Sequence, residues 1–219
     1  MVDQLIFKFP QHKIYLKEDF YVSPSNSEAF DFINSWPKWI KKIVNIFGPT
    51  GSGKTHLASL LKNKTSTLIT SSNQLNDQIF FDFKTKEVLV IENLNEIIKE
   101  NLLFSIWNTV LQDNKYLLIT SDKPINTYKF KLPDLKSRVS SSMVIGMKLP
   151  SDDLIGVILA KNFSDKQIRV EKKHIDYIIK RIDRSYEKIS QFILTLDKYS
   201  LKKGNPFSLK LIKDVLKMI

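Results

Sequence analysis

One stretch constrains this chain more than any other: Gly48-Pro49-Thr50-Gly51-Ser52-Gly53-Lys54-Thr55, the pattern G-x-x-x-x-G-K-T. It follows directly on an apolar run, Ile43 to Phe47, and leads directly into a helix-like segment, His56 to Lys62. A loop of this kind needs glycines because backbone N–H groups must curl around a phosphate. The helix behind it adds unpaired N–H groups and the positive end of its dipole. Three of the six glycines in the chain fall inside the motif. With Gly at about 7% of residues, a chance match is on the order of one in a hundred. Lys54 is placed to reach β- and γ-phosphates, and Thr55 to hold Mg²⁺ through its hydroxyl. The plainer reading, a glycine-rich turn without a ligand, is disfavoured by the strand-loop-helix setting.

The rest of the chain supplies a sheet for that loop. Val88 to Ile91, Tyr116 to Thr120 and, more weakly, Ser66 to Thr70 are further β-branched and aliphatic runs. Such continuous runs suit strands buried on both faces, as in parallel sheets. Helix-length segments lie between them, notably Asn95 to Asp113, so the expected fold is α/β, a parallel sheet covered by helices. Turn and cap residues, Ser23-Pro24-Ser25-Asn26-Ser27, precede a helical pattern through Ala29, Phe30, Phe32 and Ile33 that stops before Pro37. After Pro150 the pattern changes to helical stripes. Leu154, Val157 and Ile158 come first, then Ile175, Ile178, Ile179 and Ile182, then Ile189, Phe192, Ile193 and Leu196, then Ile212, Val215, Leu216 and Ile219. Ser151 and Ser185 stand as N-caps, and Gly204-Asn205-Pro206 separates the last two helices. The expected organisation is a tail over 1–10, an α/β domain over 11–150 and a small all-helical domain over 151–219.

Composition narrows the chemistry. Zero cysteines remove disulfides, thiolate nucleophiles and Cys-ligated zinc, and His12, His56 and His174 are too scattered for a three-His site. There is no run of 18 apolar residues, and the start MVDQLIFKFPQ lacks a secretory signal's basic flank and long apolar stretch. A cytoplasmic chain without membrane contact is expected. The net charge of +11 comes mostly from Lys, spread without long basic blocks, so compositional drift accounts for it as well as nucleic-acid binding does. Arginine is confined to Arg138, Arg169, Arg181 and Arg184, and bidentate geometry is a reason to keep arginine in so lysine-rich a chain.

A phosphate loop needs acid at the end of a neighbouring strand, and Val88-Leu89-Val90-Ile91 runs into Glu92-Asn93. Glu92 keeps a carboxylate for the metal. Asn93 stands where a second carboxylate usually orients or deprotonates water, and an amide is not a base near neutral pH. Slow or absent hydrolysis is therefore expected, with Asp82 or Glu96 as the substitute bases that would defeat the expectation. The strand end Thr120-Ser121-Asp122 would bring polar groups beside the γ-phosphate if its strand pairs with the one bearing Glu92. Arg138, in a short helix beginning at Pro133, is either a solvated surface arginine or a finger presented to a neighbour's nucleotide.

Together these residues resemble the AAA+ domain of the bacterial replication initiator DnaA, and within that family its shorter Hda-type regulators. The likeness rests on the phosphate loop continued by His56-Leu57, on Thr120-Ser121-Asp122, and on Leu135-Lys136-Ser137-Arg138. It is extended by Arg181-Ile182-Asp183-Arg184 in the helical lid. The leading segment Phe20-Tyr21-Val22 through Asn26-Ser27-Glu28-Ala29 to Trp36-Pro37 also fits, so nearly the whole length is covered. The resemblance implies ADP or ATP with Mg²⁺, bound by Gly48, Gly51, Ser52, Gly53, Lys54, Thr55, His56, Tyr21, Val22 and Arg184. Thr55 and Glu92 would face the metal, Asp122 would act as a sensor, and Arg138 as an arginine finger in trans. Gln4-Leu5-Ile6-Phe7-Lys8-Phe9 fits the family's clamp-binding peptide, with Gln4, Leu5, Phe7 and Phe9 entering a pocket of the sliding clamp; an edge strand is the other reading.

Two residues depart from the family pattern. Asn93 is one; the other is Glu187, which stands where many relatives carry a phosphate-sensing arginine. Either Arg184 takes over that role or the lid does not sense nucleotide. DnaA continues into a helix-turn-helix domain, whereas this sequence ends at Ile219 after the lid, so origin reading is not expected of it. The implied partners are DnaA and the polymerase III sliding clamp (β subunit), with any DNA contact indirect and a homo-oligomer left open. The implied function is inactivation of DnaA by stimulating hydrolysis of its ATP. The rivals are an autonomous AAA+ remodeller, helicase- or clamp-loader-like, and a small-molecule P-loop kinase, which the few scattered arginines disfavour.

Overall fold

In the computed structural model, residues 19–95, 97–166, 168, 170–203 and 208–219 are described. The apolar runs become strands: β1 (Ile43–Phe47), β2 (Thr67–Ser71), β3 (Val88–Leu94), β4 (Tyr116–Ser121) and β5 (Met143–Gly146). All pair in parallel, in the order β2-β3-β4-β1-β5. Side chains alternate across the pleat. Ile43, Leu89, Ile91, Leu117 and Ile119 face one side, while Val44, Ile46, Val88, Val90 and Leu118 face the other.

The first side is covered by α3 (Ile79–Phe83), α4 (Glu100–Gln112) and α5 (Pro133–Ser140), through Phe83, Leu103, Ile106, Trp107, Leu135 and Val139. The second is covered by α1 (Ser27–Asn34) and α2 (Lys54–Lys62), through Ala29, Ile33, Leu57 and Leu61, with Trp39 alongside. Both faces of the central strands are thus dry, which is why their sequence reads as continuous apolar runs. The α/β reading of the sequence holds.

A separate apolar cluster is built from α6 (Asp152–Asp165), α7 (Lys172–Ile179), α8 (Tyr186–Lys203) and α9 (Leu209–Leu216). Its buried members, among them Ile155, Leu159, Ile178, Ile189, Phe192, Leu196, Ile212 and Val215, include positions from every helical stripe that the 3.6-residue period picks out except the first. The first stripe, Leu154, Val157 and Ile158, turns out to be offset: α6 contributes Ile155, Leu159 and Phe163 instead, with Ile158 packed at the margin. Ser151 caps α6 by accepting from the Leu154 N–H at 3.3 Å, and the Lys188 N–H reaches Ser185 Oγ at 3.4 Å at the start of α8.

Several bounds differ from the sequence reading by a residue or two, and three differences are larger. β3 continues through Glu92 and Asn93 to Leu94, with a register irregularity against β4 between Ile91 and Leu94. α4 begins at Glu100 rather than Asn95, because the Asn95 side chain accepts from the Ile97 N–H at 3.0 Å and donates to Asn73, making a turn. β5 is an edge strand of four residues, too short to stand out by composition. It is admitted beside β1 because Gly146 leaves room for the Phe47 ring, which a Cβ there would approach to 2.7 Å. The consequence for the site is convergence: β1 lies next to β4, and β4 next to β3, so Phe47, Ser121 and Leu94 end on one edge of the sheet. That edge, beyond the carboxyl ends of parallel strands, is where open α/β sheets bind ligands.

Candidate phosphate-binding site

Between β1 and α2 the chain makes a tight loop that only glycine fits. Gly51 has φ +84° and Gly53 φ +100°, in the left-handed region that disfavours side chains. Space is closed as well. A Cβ on Gly48 would lie 2.6 Å from the Met147 carbonyl oxygen, one on Gly51 2.8 Å from Tyr186 Cβ, and one on Gly53 2.8 Å from the Phe20 ring. The loop is therefore gripped by Met147, which follows β5, by Tyr186 at the start of α8 and by Phe20 of the leading segment. Its first residue donates to the Ser121 carbonyl at 3.1 Å, and Gly53 accepts the first hydrogen bond of α2 from Leu57 at 3.0 Å. Ser52 is buried and its hydroxyl lies 3.8 Å from the Met147 sulfur.

Lys54 opens α2 and folds back over the loop. Its side chain is 6% exposed, an unusual position for an ammonium, and the charge is held by the Gly48 carbonyl, by the Pro49 carbonyl at 3.1 Å and by Asp122 Oδ1 at 3.2 Å. Asp122 in turn lies 3.5 Å from the Thr50 hydroxyl and is largely exposed. β4 does pair with β3, the condition on which the sequence reading placed Thr120-Ser121-Asp122 beside a γ-phosphate, and each of the three residues has a separate task. Thr120 Oγ1 accepts from the Asn93 N–H at 3.1 Å, Ser121 fixes the turn by donating to the Lys123 carbonyl at 2.8 Å, and Asp122 meets Lys54.

Asn45 completes this turn, and the sequence reading passed over it. It sits in the middle of β1, 1% exposed, and its side-chain amide bonds the neighbouring strand end and the turn after it. Nδ2 donates to the Ile119 carbonyl at 3.1 Å and to Ser121 Oγ at 2.8 Å, and Oδ1 accepts from the Ile125 N–H at 2.9 Å. A polar residue interrupting an otherwise apolar buried strand was the available signal, because a buried amide needs partners.

Glu92 and Asn93 lie at the irregular end of β3. Glu92 Oε1 is buried with no hydrogen-bond partner among the described residues. An orphaned carboxylate oxygen here, together with the Thr55 hydroxyl at the helix start, fits a hard cation with oxygen ligands. Among the described residues no cluster of three His, Asp or Glu side chains could hold a metal by itself, so a cation would depend on oxygens of a bound phosphate. Asn93 has φ +54°, its N–H goes to Thr120 and its carbonyl accepts from Ser72 Oγ at 2.7 Å. Asn is among the few residues that tolerate this conformation, which gives a backbone reason for its presence beside the missing base.

The remaining predicted residues divide. His56 stacks edge-on against Phe20, ring centres 5.2 Å apart, and Phe20 lies flat on Phe30, so the leading segment does reach the loop. Tyr21 and Val22 follow it and are exposed, the Tyr21 carbonyl being held by the buried Asn26 amide at 3.0 Å. Tyr186, not predicted, closes the loop from the helical side: it is buried, and burial pushes its hydroxyl above the usual phenol range while a hydrogen bond to Ser25 opposes the shift. Arg184 is tied elsewhere, with Nε to Asp152 Oδ1 at 2.8 Å and Nη2 to Oδ2 at 3.0 Å. The bidentate contact lowers the Asp152 pKa and raises that of Arg184, so its contribution is present above the ordinary carboxylate range and is lost as the pH falls below that range through the lowered Asp152 value. Glu187 is exposed and accepts from Gln191 at 3.3 Å. Arg138 lies on α5, on the sheet face opposite α2, with its guanidinium 5.3 Å from the centre of the Phe104 ring. Gln4, Leu5, Phe7 and Phe9, and also Glu96, fall outside the described residues. Among the described residues no helix is long and apolar enough to cross a membrane.

No family model matches the chain. In sequence it is similar to the chromosomal replication initiator protein DnaA of Campylobacter jejuni, 28% identical over 226 aligned positions that cover 91% of this chain and 51% of the initiator. DnaA of Borreliella afzelii is 24% identical over 233 positions, covering 94% and 48%. The chain thus spans about half the length of the curated relatives it matches. In fold it is similar to domain III of the Thermotoga maritima DnaA, with TM-score 0.77, 20% identity, and coverage of 93% of this chain and 96% of that domain. A DnaA bound to AMPPCP and single-stranded DNA matches with TM-score 0.67 at 18% identity, covering 87% of this chain and 66% of that one. A Thermotoga maritima RuvB mutant matches with TM-score 0.70 at 15%, covering 90% and 70%. At these identities the structural likeness establishes the fold, that of the DnaA and RuvB AAA+ domains.

Replacing Asn45 by Ala strands the Ile125 N–H and removes two bonds to β4, a loss of about 1–3 kcal/mol for buried unsatisfied groups. Thermal unfolding should show a midpoint lowered by about 2–4 °C per kcal/mol for a chain this size. An unchanged midpoint would remove Asn45 from the account.

Proposed function

We propose, starting from a chain homologous to DnaA that carries the AAA+ fold, that it binds ADP or ATP at Gly48 to Thr55 and regulates DnaA in the manner of an Hda-type partner. The observation that carries this reading is a mismatch within one site. The phosphate loop is fully built, with Lys54 drawn in over it, while the residue after Glu92 is an amide in a left-handed conformation. The loop that would bind phosphate is in place and the position after Glu92 offers no base, as suits a protein that holds nucleotide more than it turns it over.

In this reading the loop N–H groups and the α2 N-terminus take the β-phosphate, and Lys54 exchanges part of its carbonyl and Asp122 contacts for phosphate oxygens. Thr55 and the orphaned Glu92 oxygen would hold Mg²⁺, which when bound neutralises charge on those oxygens. His56, Phe20, Tyr21 and Val22 border the adenosine side, and Tyr186 closes over Gly51. Arg184 is occupied by Asp152, so it joins the nucleotide only by leaving that partner. Arg138, on the other face of the sheet, is directed at a neighbour's nucleotide rather than its own. There it would stabilise charge developing on the transferred phosphoryl group of DnaA-bound ATP, an effect of roughly 10³ to 10⁵ in rate for arginine fingers. Gln4 to Phe9 would tether the chain to the DNA-loaded sliding clamp.

A second reading, an autonomous AAA+ ATPase that remodels a replication complex, draws on the fact that one chain carries both the phosphate loop and Arg138. Copies could then complete one another's sites, and hydrolysis by the pure chain would rise steeply with its concentration.

With DnaA carrying labelled ATP and with clamp loaded on DNA, the unmodified chain should accelerate conversion to ADP. Arg138→Ala should abolish the acceleration while its own ADP affinity stays within about two-fold, because its binding loop lies elsewhere. Full stimulation by that variant would mean that another group is the finger. Changing Gln4 and Leu5 together to Ala should eliminate retention on immobilised clamp, and undiminished retention would detach the tail from this role.

A further inference from the structure

Leu135 and Val139 bury one face of α5 in the core, but the proposed finger must be held to within fractions of an ångström to be useful, which requires the start of the helix to be fixed as well. What fixes it is a carboxylate on the neighbouring helix. Glu100, the first residue of α4, accepts from the Lys131 N–H with both oxygens at 2.9 Å and from the Leu132 N–H at 2.7 Å. These N–H groups belong to the two residues just before Pro133, where α5 begins. The Leu132 carbonyl then accepts the first helical bond of α5, from Lys136 at 3.1 Å.

One turn further along α4 from Glu100 is Phe104, and it is Phe104 that lies beneath the Arg138 guanidinium at 5.3 Å. A single helix therefore grips α5 twice, at the backbone before its start and at the arginine near its end. Leu135 and Val139, buried against α4 residues including Leu103, close the space between the two grips. The two backbone N–H donors also hold the Glu100 carboxyl below its usual range, so both oxygens are charged acceptors at neutral pH.

From this we infer that Glu100 is the positioning residue of Arg138: by clamping the Lys131-Leu132 backbone it sets where α5 starts and hence where the guanidinium is presented. The inference rests on the reading of Arg138 as a finger acting at a partner's nucleotide. Glu100 itself touches no nucleotide of either chain in this scheme. Its carboxylate acts only through the backbone that leads into α5, and the Phe104 ring supports the guanidinium of Arg138.

The test compares Glu100→Ala, Glu100→Gln and Arg138→Ala in the DnaA hydrolysis assay, as a function of the concentration of the added chain. Glu100→Ala should lower the maximal stimulated rate by up to about 10²-fold, the cost of a misplacement on the order of 1 Å. The concentration giving half-maximal stimulation and the chain's own ADP affinity should be unchanged. Glu100→Gln, which keeps an acceptor oxygen but loses the charge, should recover part of the rate. Hydrogen exchange at the Lys131 and Leu132 amides should quicken in the same order, Ala before Gln. If Arg138→Ala is inactive while Glu100→Ala stimulates at the full rate, the clamp is not a positioning device and the inference is overturned. If Glu100→Ala acts only by raising the half-maximal concentration, Glu100 is a docking group and the inference is likewise overturned. If Arg138→Ala stimulates normally, the finger reading itself fails, and the role assigned to Glu100 falls with it.

Discussion

An ammonium group buried over a glycine loop is expensive to maintain unless its surroundings are fixed, and the architecture around Lys54 can be read as the means of fixing them. Two of its partners, the Gly48 and Pro49 carbonyls, come from the loop itself; the third, Asp122, comes from the end of β4. The loop can present its carbonyls and N–H groups together only because Gly51 and Gly53 take left-handed conformations, and Tyr186 and Phe20 pack where any side chain would stand. Asp122 is in reach only because β4 is the neighbour of β1 and because Asn45 and Ser121 hold the turn that follows β4. Sheet order, a buried amide and three glycines thus serve one geometry.

The same edge of the sheet carries a second geometry with a different purpose. β3 ends in an irregular segment that exposes Asn93 and buries a Glu92 oxygen with no partner among the described residues, next to the β4 end that fixes Lys54. From there the chain runs to α4, and α4 holds α5 by Glu100 and Phe104. Tyr128, whose hydroxyl donates to the Leu94 carbonyl at 2.9 Å, anchors the loop before α5 to the end of β3 as well. The edge that carries the glycine loop and the arginine-bearing helix are therefore joined by short hydrogen-bonded connections, although α5 and the helix behind the loop, α2, lie on opposite faces of the sheet. A regulator that keeps its own nucleotide while offering an arginine to a partner would need such a division.

Much of this was legible in the sequence. The runs Ile43 to Phe47 and Val88 to Ile91 announced strands because both faces are dry, and the phosphate loop because only glycine fits its turns. The helical stripes after Pro150 were legible for the same reason of burial, with the phase of α6 shifted. What escaped was set by contacts between residues distant in sequence. β5 is too short for composition to reveal, and its place depends on Gly146 meeting Phe47. Asn45 looks like an interruption until Ile125, eighty positions away, is seen to need its acceptor. Asn93 suggested a lost base, while its backbone angle supplies a conformational reason that no spacing rule contains. Arg184 was one candidate for meeting the nucleotide, but the Asp152 carboxylate that holds it belongs to another helix.

The account stands on Lys54 serving a nucleotide, and calorimetric titration of Mg²⁺ with ADP into the pure chain tests that most directly. One nucleotide per chain should bind, and Lys54→Ala should weaken it by about ten-fold or more, since a charge-assisted bond is worth roughly 1.5–3 kcal/mol. No heat of binding with the unmodified chain, or equal affinity in the variant, would contradict it.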